Sequence, residues 1–285
     1  MSAADVPEQI NLQVASSDTL VASFVTFGDL PNGSAPIALL SEHPDMRDPL
    51  IITGVTHQYL SPSADGAAVQ QQRAYNMHFC TLSTAKERAV YYYQVAANPS
   101  TVFSDIISFR SLYSPDHVGP TRFAIFGDMG MMDNGNTAHG GLQRDMEANE
   151  IDFFAHMGDH AYQMSSADDR RGDGYMNAYQ PLSSKLPWIP VIGNHEYYDN
   201  AYFHRFLNQT FGVQLTTGAV PAEFCAHQKG CASADDIAGR HPTLSGLETI
   251  TADSALGTFM ARSTVMAGGL GYVIHACFNA ATGAL

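Results

Sequence analysis

Phe123-Ala124-Ile125-Phe126-Gly127-Asp128-Met129-Gly130 opens a stretch in which one pattern occurs three times. Phe153-Phe154-Ala155-His156-Met157 leads into Gly158-Asp159-His160-Ala161-Tyr162. Trp188-Ile189-Pro190-Val191-Ile192 leads into Gly193-Asn194-His195-Glu196. Short apolar runs bounded by turn residues read as buried strands. The residues between them can supply crossover helices, so the pattern predicts repeated β-α-β units on a parallel sheet. Such sheets bind ligands beyond the carboxyl ends of their strands. Asp128, Asp159 and Asn194 are therefore expected on one edge of one sheet.

Two carboxylates, an amide oxygen and a phenol are hard oxygen donors suited to highly charged cations. A carboxylate set between two metals can bridge them, and such a pair can clamp the attacking and leaving oxygens of a phosphoryl displacement. Taken singly, an aspartate after a strand is often a helix cap and Tyr162 could be ordinary packing. The three motifs in order carry the metal reading.

At these residues the chain resembles the purple acid phosphatases, within the calcineurin-like metallophosphoesterases. Tyr162 is the discriminating position, because in that family a tyrosinate binds ferric iron. The resemblance implies a centre of Fe(III) plus a divalent ion (zinc, manganese or iron). It gives Asp128 and Tyr162 to the iron, Asp159 to both metals, and Asn194 to the divalent ion. His195 resembles the histidine that contacts the substrate phosphate and helps protonate the leaving group. The implied activity is acid hydrolysis of small phosphate monoesters. A related phosphoesterase acting on diesters or nucleotides is a rival that Tyr162 weighs against.

The chain has 285 residues, enough for one or two domains, and a formal net charge of -14. That charge argues against nucleic acid or an anionic membrane surface as the main partner. It leaves phosphate substrates open, because bound metal ions can dominate a site's local field. No apolar run is long enough to span a membrane. Met1-Ser2-Ala3-Ala4-Asp5 lacks the basic segment and apolar core of a secretory signal. The family resemblance implies a secreted or lysosome- or vacuole-like glycoprotein, and the sequons at Asn32 and Asn208 agree with that. The four cysteines, Cys80, Cys225, Cys231 and Cys277, leave their pairing open.

Before about Pro120 the sequence is rich in strand signals. Ile10, Leu12 and Val14 alternate with polar or small neighbours. Val90-Tyr91-Tyr92-Tyr93-Gln94-Val95 would place Tyr91 and Tyr93 on one face. Several short strands with Pro-, Gly-, Asn- and Asp-rich punctuation predict an antiparallel sandwich. Pro7-Glu8-Gln9-Ile10 and the tyrosine run resemble the fibronectin type III-like domain of plant and fungal purple acid phosphatases. The expected organisation is an all-β fibronectin type III-like sandwich over residues 1–118. An incomplete α/β metallophosphoesterase domain (an αββα sandwich) would follow over 119–285.

Within the second part, helices are expected over 137–150, 175–185 and 256–266. His139 is expected to face solvent, and Asp168-Asp169-Arg170-Arg171 to form a solvated loop. The family's later Gly-His-x-His motif, a source of further metal ligands, does not occur in the sequence. The chain therefore reads as a truncated form whose missing half would cover apolar faces. Homo-oligomerisation or poor solubility is the expected consequence. A catalytically defective homologue acting as a binding or structural remnant is the alternative function.

Overall fold

β-Branched and aromatic residues dominate the first eight strands, as their preference for a pleated, half-buried surface requires. These are β1 (Glu8–Val14), β2 (Thr19–Thr26), β3 (Ile37–Ser41), β4 (Leu50–Thr53), β5 (Val55–Leu60), β6 (Ala74–Ser83), β7 (Val90–Ala96) and β8 (Ile107–Arg110). They are followed by β9 (Phe123–Phe126), α1 (Met132–Glu147), β10 (Phe153–His156), α2 (Arg170–Ser183) and β11 (Trp188–Pro190). A last antiparallel pair is formed by β12 (Met260–Val265) and β13 (Tyr272–Cys277). The computed structural model describes residues 6–15, 18–30, 34–61, 73–114, 116–130, 132–162, 164, 167, 169–191, 260–265 and 272–277.

Two sheets make up the N-terminal part. Strands β5-β6-β2-β1 run antiparallel, and β4-β3-β7-β8 form a second antiparallel sheet. Between them lies a core of Ile10, Leu12, Leu20, Ala22, Phe24, Leu40, Leu82, Tyr91, Tyr93, Val95 and Phe109. Tyr91 and Tyr93 are both buried there, as the alternation predicts. Cys80 lies in the same core as a free thiol, and burial pushes its pKa up to about 12.

The first sheet does not end at β1. Gln13 of β1 pairs in parallel with Trp188 of β11, so the order continues β1-β11-β10-β9 into one seven-stranded mixed sheet. The three parallel strands are in register, with Phe126, His156 and Pro190 level at their carboxyl ends. Helix α2 covers both halves of this sheet. Its Tyr175, Met176, Tyr179 and Leu182 pack in one cluster with Val21, Val25, Tyr75 and Met77 and with Phe154 and Trp188.

This cover reverses a simple reading of β1. The alternation suggests that Gln9, Asn11 and Gln13 face water, yet all three are buried. Gln9 sits at a positive φ of 59° where the β1–β2 register shifts. Helix α2 takes up backbone donors at this bulge: Gln9 N–H donates to Asn177 (3.2 Å) and Ile10 N–H to Gln180 (3.0 Å). Asn11 accepts from the Trp188 indole at 3.1 Å and from Gln13 at 2.9 Å. The polar face of β1 is thus a hydrogen-bonded seam between the N-terminal strands and the parallel unit, in line with the rule that buried polar groups are paired.

Three helix expectations change. Helix α1 begins at Met132 and ends at Glu147, five residues earlier than expected at the start and three at the end. Helix α2 begins at Arg170, so the expected charged loop is partly its first turn. Met260–Val265, expected as part of a helix, is strand β12. There the β-hairpin ladder with the β-branched run of β13 outweighs the weak helical pattern.

Candidate metal centre

The carboxyl ends of β9 and β10 turn sharply. Asp128 N–H donates to the Gly158 carbonyl at 3.2 Å, and Met157 N–H to that of Phe126 at 2.7 Å, so the two exits are tied together. Val191 N–H donates to the His156 carbonyl at 2.9 Å, which ties in the exit of β11. Asp128, Asp159 and Tyr162 then all adopt left-handed backbone, with φ of 57°, 53° and 48°. Aspartate tolerates that region, but for a bulky tyrosine it is a genuine outlier. Each such residue costs on the order of 1–3 kcal/mol and persists only where its surroundings over-determine it. Gly158 supports the turn with φ of 96°. Gly130 (φ 65°) leaves room for Tyr162, since a Cβ on it would lie 3.3 Å from the tyrosine ring.

The strained loops bring two of the sequence-predicted residues into contact. The Tyr162 hydroxyl donates to Asp128 Oδ1 at 2.8 Å. Asp128 is exposed and Asp159 buried, on adjacent exits of the same sheet edge. Asn194 and His195 lie outside the described residues, so the structure says nothing of their positions.

The donor set fits a hard, highly charged cation: two carboxylates and a phenol that can ionise, on loops held in costly conformations. Among the described residues no group of three or more His, Cys, Asp or Glu side chains converges to hold a metal ion.

Beneath these loops lies a buried polar layer to which sequence reasoning assigned no role. His160 Nε2 is 2.8 Å from the Val191 carbonyl, and its Nδ1 is 3.2 Å from the Tyr175 hydroxyl. The same hydroxyl is 2.8 Å from His156 Nδ1. Burial, reinforced by the neighbouring His160, pushes the His156 pKa well below the usual histidine value. His139 is also buried, edge-on to Tyr179 with ring centroids 4.9 Å apart, contrary to the solvent-facing expectation. It is covered because α1 packs on α2 and not on water. Two signals were present in the sequence: a histidine closing the apolar run of β10, and Tyr175 and Tyr179 one helical turn apart. Arg171, expected in a solvated loop, donates to the Ala161 carbonyl at 2.6 Å.

The model of the calcineurin-like phosphoesterase family matches residues 121–247. Acid phosphatase type 7 of Mus musculus is 34% identical over 132 residues, which are 46% of this chain and 28% of that protein. Purple acid phosphatase 22 of Arabidopsis thaliana is 21% identical over 253 residues, 85% of this chain and 49% of its own length. The solved structure of a purple acid phosphatase from yellow lupin (Lupinus luteus) seeds superposes with a TM-score of 0.58 at 19% identity. That match covers 70% of this chain and 38% of the lupin chain, and it speaks for the fold. The chain spans half or less of the length of each of these relatives.

Proposed function

This chain is a homologue of the purple acid phosphatases with a calcineurin-like phosphoesterase domain, and from that premise we propose that it is an acid phosphatase hydrolysing phosphate monoesters at a dinuclear centre of Fe(III) and a divalent metal. The observation that carries the proposal is the contact between Tyr162 and Asp128 at 2.8 Å, made by residues held at left-handed φ on one sheet edge. Left-handed backbone at all three candidate ligands is in keeping with a preorganised site.

In this reading Asp128 and Tyr162 hold the ferric ion, Asp159 bridges to the second metal, and Asn194 binds that second metal. A metal pair held there would supply Lewis acidity toward the phosphate oxygens and a nucleophile at low pH. The chain's own contribution is placement. With its phenol ionised, Tyr162 would no longer donate to Asp128, and the two oxygens, 2.8 Å apart, would be placed to hold one cation. Burial of Asp159 strengthens its hold on charge, because low-dielectric surroundings screen it less. His195 orients the phosphate and donates a proton to the leaving alkoxide. The tyrosine ligand favours monoesters over diesters by the family pattern.

A second reading is a catalytically defective homologue. One experiment separates them: turnover of a phosphate monoester and a diester by the iron-loaded protein, beside Asp159→Ala. Monoester hydrolysis that is lost with Asp159→Ala, together with its second metal, supports the phosphatase. Stoichiometric metal without turnover supports the defective homologue, and unchanged metal content in Asp159→Ala removes the bridging role.

A further inference from the structure

We infer that His160 is a positioning residue that locks the loop carrying Asp159 and Tyr162 to the strand leading into Asn194. The inference rests on the metal-centre reading for its consequence, and on hydrogen-bond geometry for its substance.

His160 lies inside the second motif, and its ring is buried. A carbonyl oxygen can only accept, so His160 Nε2, 2.8 Å from the Val191 carbonyl, must carry a proton. In the neutral ring Nδ1 is then an acceptor, and the Tyr175 hydroxyl donates to it at 3.2 Å. The Tyr175 oxygen in turn accepts from His156 Nδ1 at 2.8 Å. One arrangement of protons satisfies all three contacts. It runs from β10 through α2 to the motif loop and ends on β11. Buried hydrogen-bonded networks of this kind favour one arrangement, and here the chain of contacts stops at His156, whose Nε2 is buried without a hydrogen-bond partner.

The far end of the network matters most. Both backbone polar groups of Val191 are taken by the second motif's strand and loop: its N–H by the His156 carbonyl, its carbonyl by His160. Val191 stands three residues before Asn194. One imidazole thereby ties the loop of Asp159 and Tyr162 to the backbone at Val191. The left-handed turns at Asp159 and Tyr162 need an anchor of this sort, and His160 sits between them. The Ala161 carbonyl is held as well, by Arg171 Nε. A histidine that merely filled the core could be replaced by any residue of similar bulk. A clamp needs a donor at the Nε2 position.

Substitution distinguishes the two. His160→Gln keeps an amide donor near the Nε2 position, whereas His160→Asn places its donor nearer Nδ1 and cannot reach Val191. The whole chain is used, with iron as the probe and amide hydrogen exchange of residues 158–162 as a metal-free readout. The expected result is that His160→Asn weakens iron binding about tenfold to hundredfold, the usual range for outer-shell partners. Its loop amides exchange about tenfold faster, and His160→Gln restores both to near wild type. Equal iron affinity in wild type and His160→Asn, or equal losses in His160→Asn and His160→Gln, overturns the inference. If the wild-type chain binds no iron, the metal-centre reading fails by itself. The exchange data then decide, supporting the clamp if His160→Gln rescues and overturning it if not. Should His160→Asn fail to fold, Tyr175→Phe removes one hydroxyl only. Faster exchange of the loop in that variant supports the inference, and unchanged exchange overturns it.

Discussion

The two ends of the seven-stranded sheet use their backbone in opposite ways. At one end β2 and β6 pair without interruption from Thr19↔Ser83 to Thr26↔Asn76, over a core buried on both faces. At the other, β9 and β10 pair over only four residues and then break into left-handed turns at Asp128, Asp159 and Tyr162. The first end carries the stability and the second spends part of it on holding charged groups in unfavourable conformations. Substitutions should therefore trade places: at β2–β6 they cost folding, and at the β9–β10 edge they cost metal binding.

The sharpest way to break this comparison is in the sandwich core. Phe24 is fully buried between the sheets and stacked on His78 at 4.6 Å. Phe24→Ala should cost about 3–5 kcal/mol in denaturant unfolding, the usual range for a truncated core aromatic. A loss under about 1 kcal/mol would mean that the sandwich is not the stable end.

A comparable cost is expected at the seam between the halves. Arg88 Nη1 lies 2.9 Å from Asp152 Oδ1 as an ion pair, off the angle of a hydrogen bond, and Asp152 is buried. Arg88→Met leaves that carboxylate without its cation, holding only the Arg122 N–H at 2.8 Å, and should cost about 3 kcal/mol, as breaking buried pairs does. Arg88→Met with Asp152→Leu should recover much of the loss, and failure to recover would show that the pair does more than neutralise.

The pH dependence sharpens the contrast. His78 is hydrogen-bonded by Thr26 at 2.9 Å and Thr56 at 2.8 Å, and burial lowers its pKa from 6.5 to about 3. Folded, it binds fewer protons than unfolded, so its neutral form stabilises the fold fully above pH 6.5. That contribution falls as the pH drops from 6.5 toward 3. Unfolding midpoints followed over this range should decline, and His78→Gln should flatten the decline. An unchanged slope would assign acid sensitivity elsewhere.

The smallest stability effect belongs to the strained edge. Asp128→Gly accepts a φ of 57° without steric cost and should leave stability within about 1 kcal/mol of wild type while weakening iron binding. A loss above about 3 kcal/mol would show that Asp128 is a structural anchor.

The parallel strands were legible because each apolar run is short, continuous and closed by glycine, but the expected burial fails at β9, where Phe123 and Ile125 are exposed. Asp128, Asp159 and Tyr162 were legible as a set because each follows such a run. The contact between Asp128 and Tyr162 was not, since it depends on left-handed turns that no periodicity encodes. Gln9, Asn11 and Gln13 misled for a related reason: alternation signals which side differs, and only the tertiary cover by α2 decides that both sides are dry. His139 was expected to face solvent and is instead buried against Tyr179, on a helix whose first turn was read as loop. Asn194 and His195 remain sequence assignments.

The most direct measurement is the visible absorption spectrum of the iron-loaded chain beside Tyr162→Phe, with iron content determined for both. The account predicts a purple tyrosinate-to-iron band in the wild type that disappears in Tyr162→Phe. An iron-bound wild type without that band, or the same band in both proteins, would contradict Tyr162 as a ligand and with it the proposed centre.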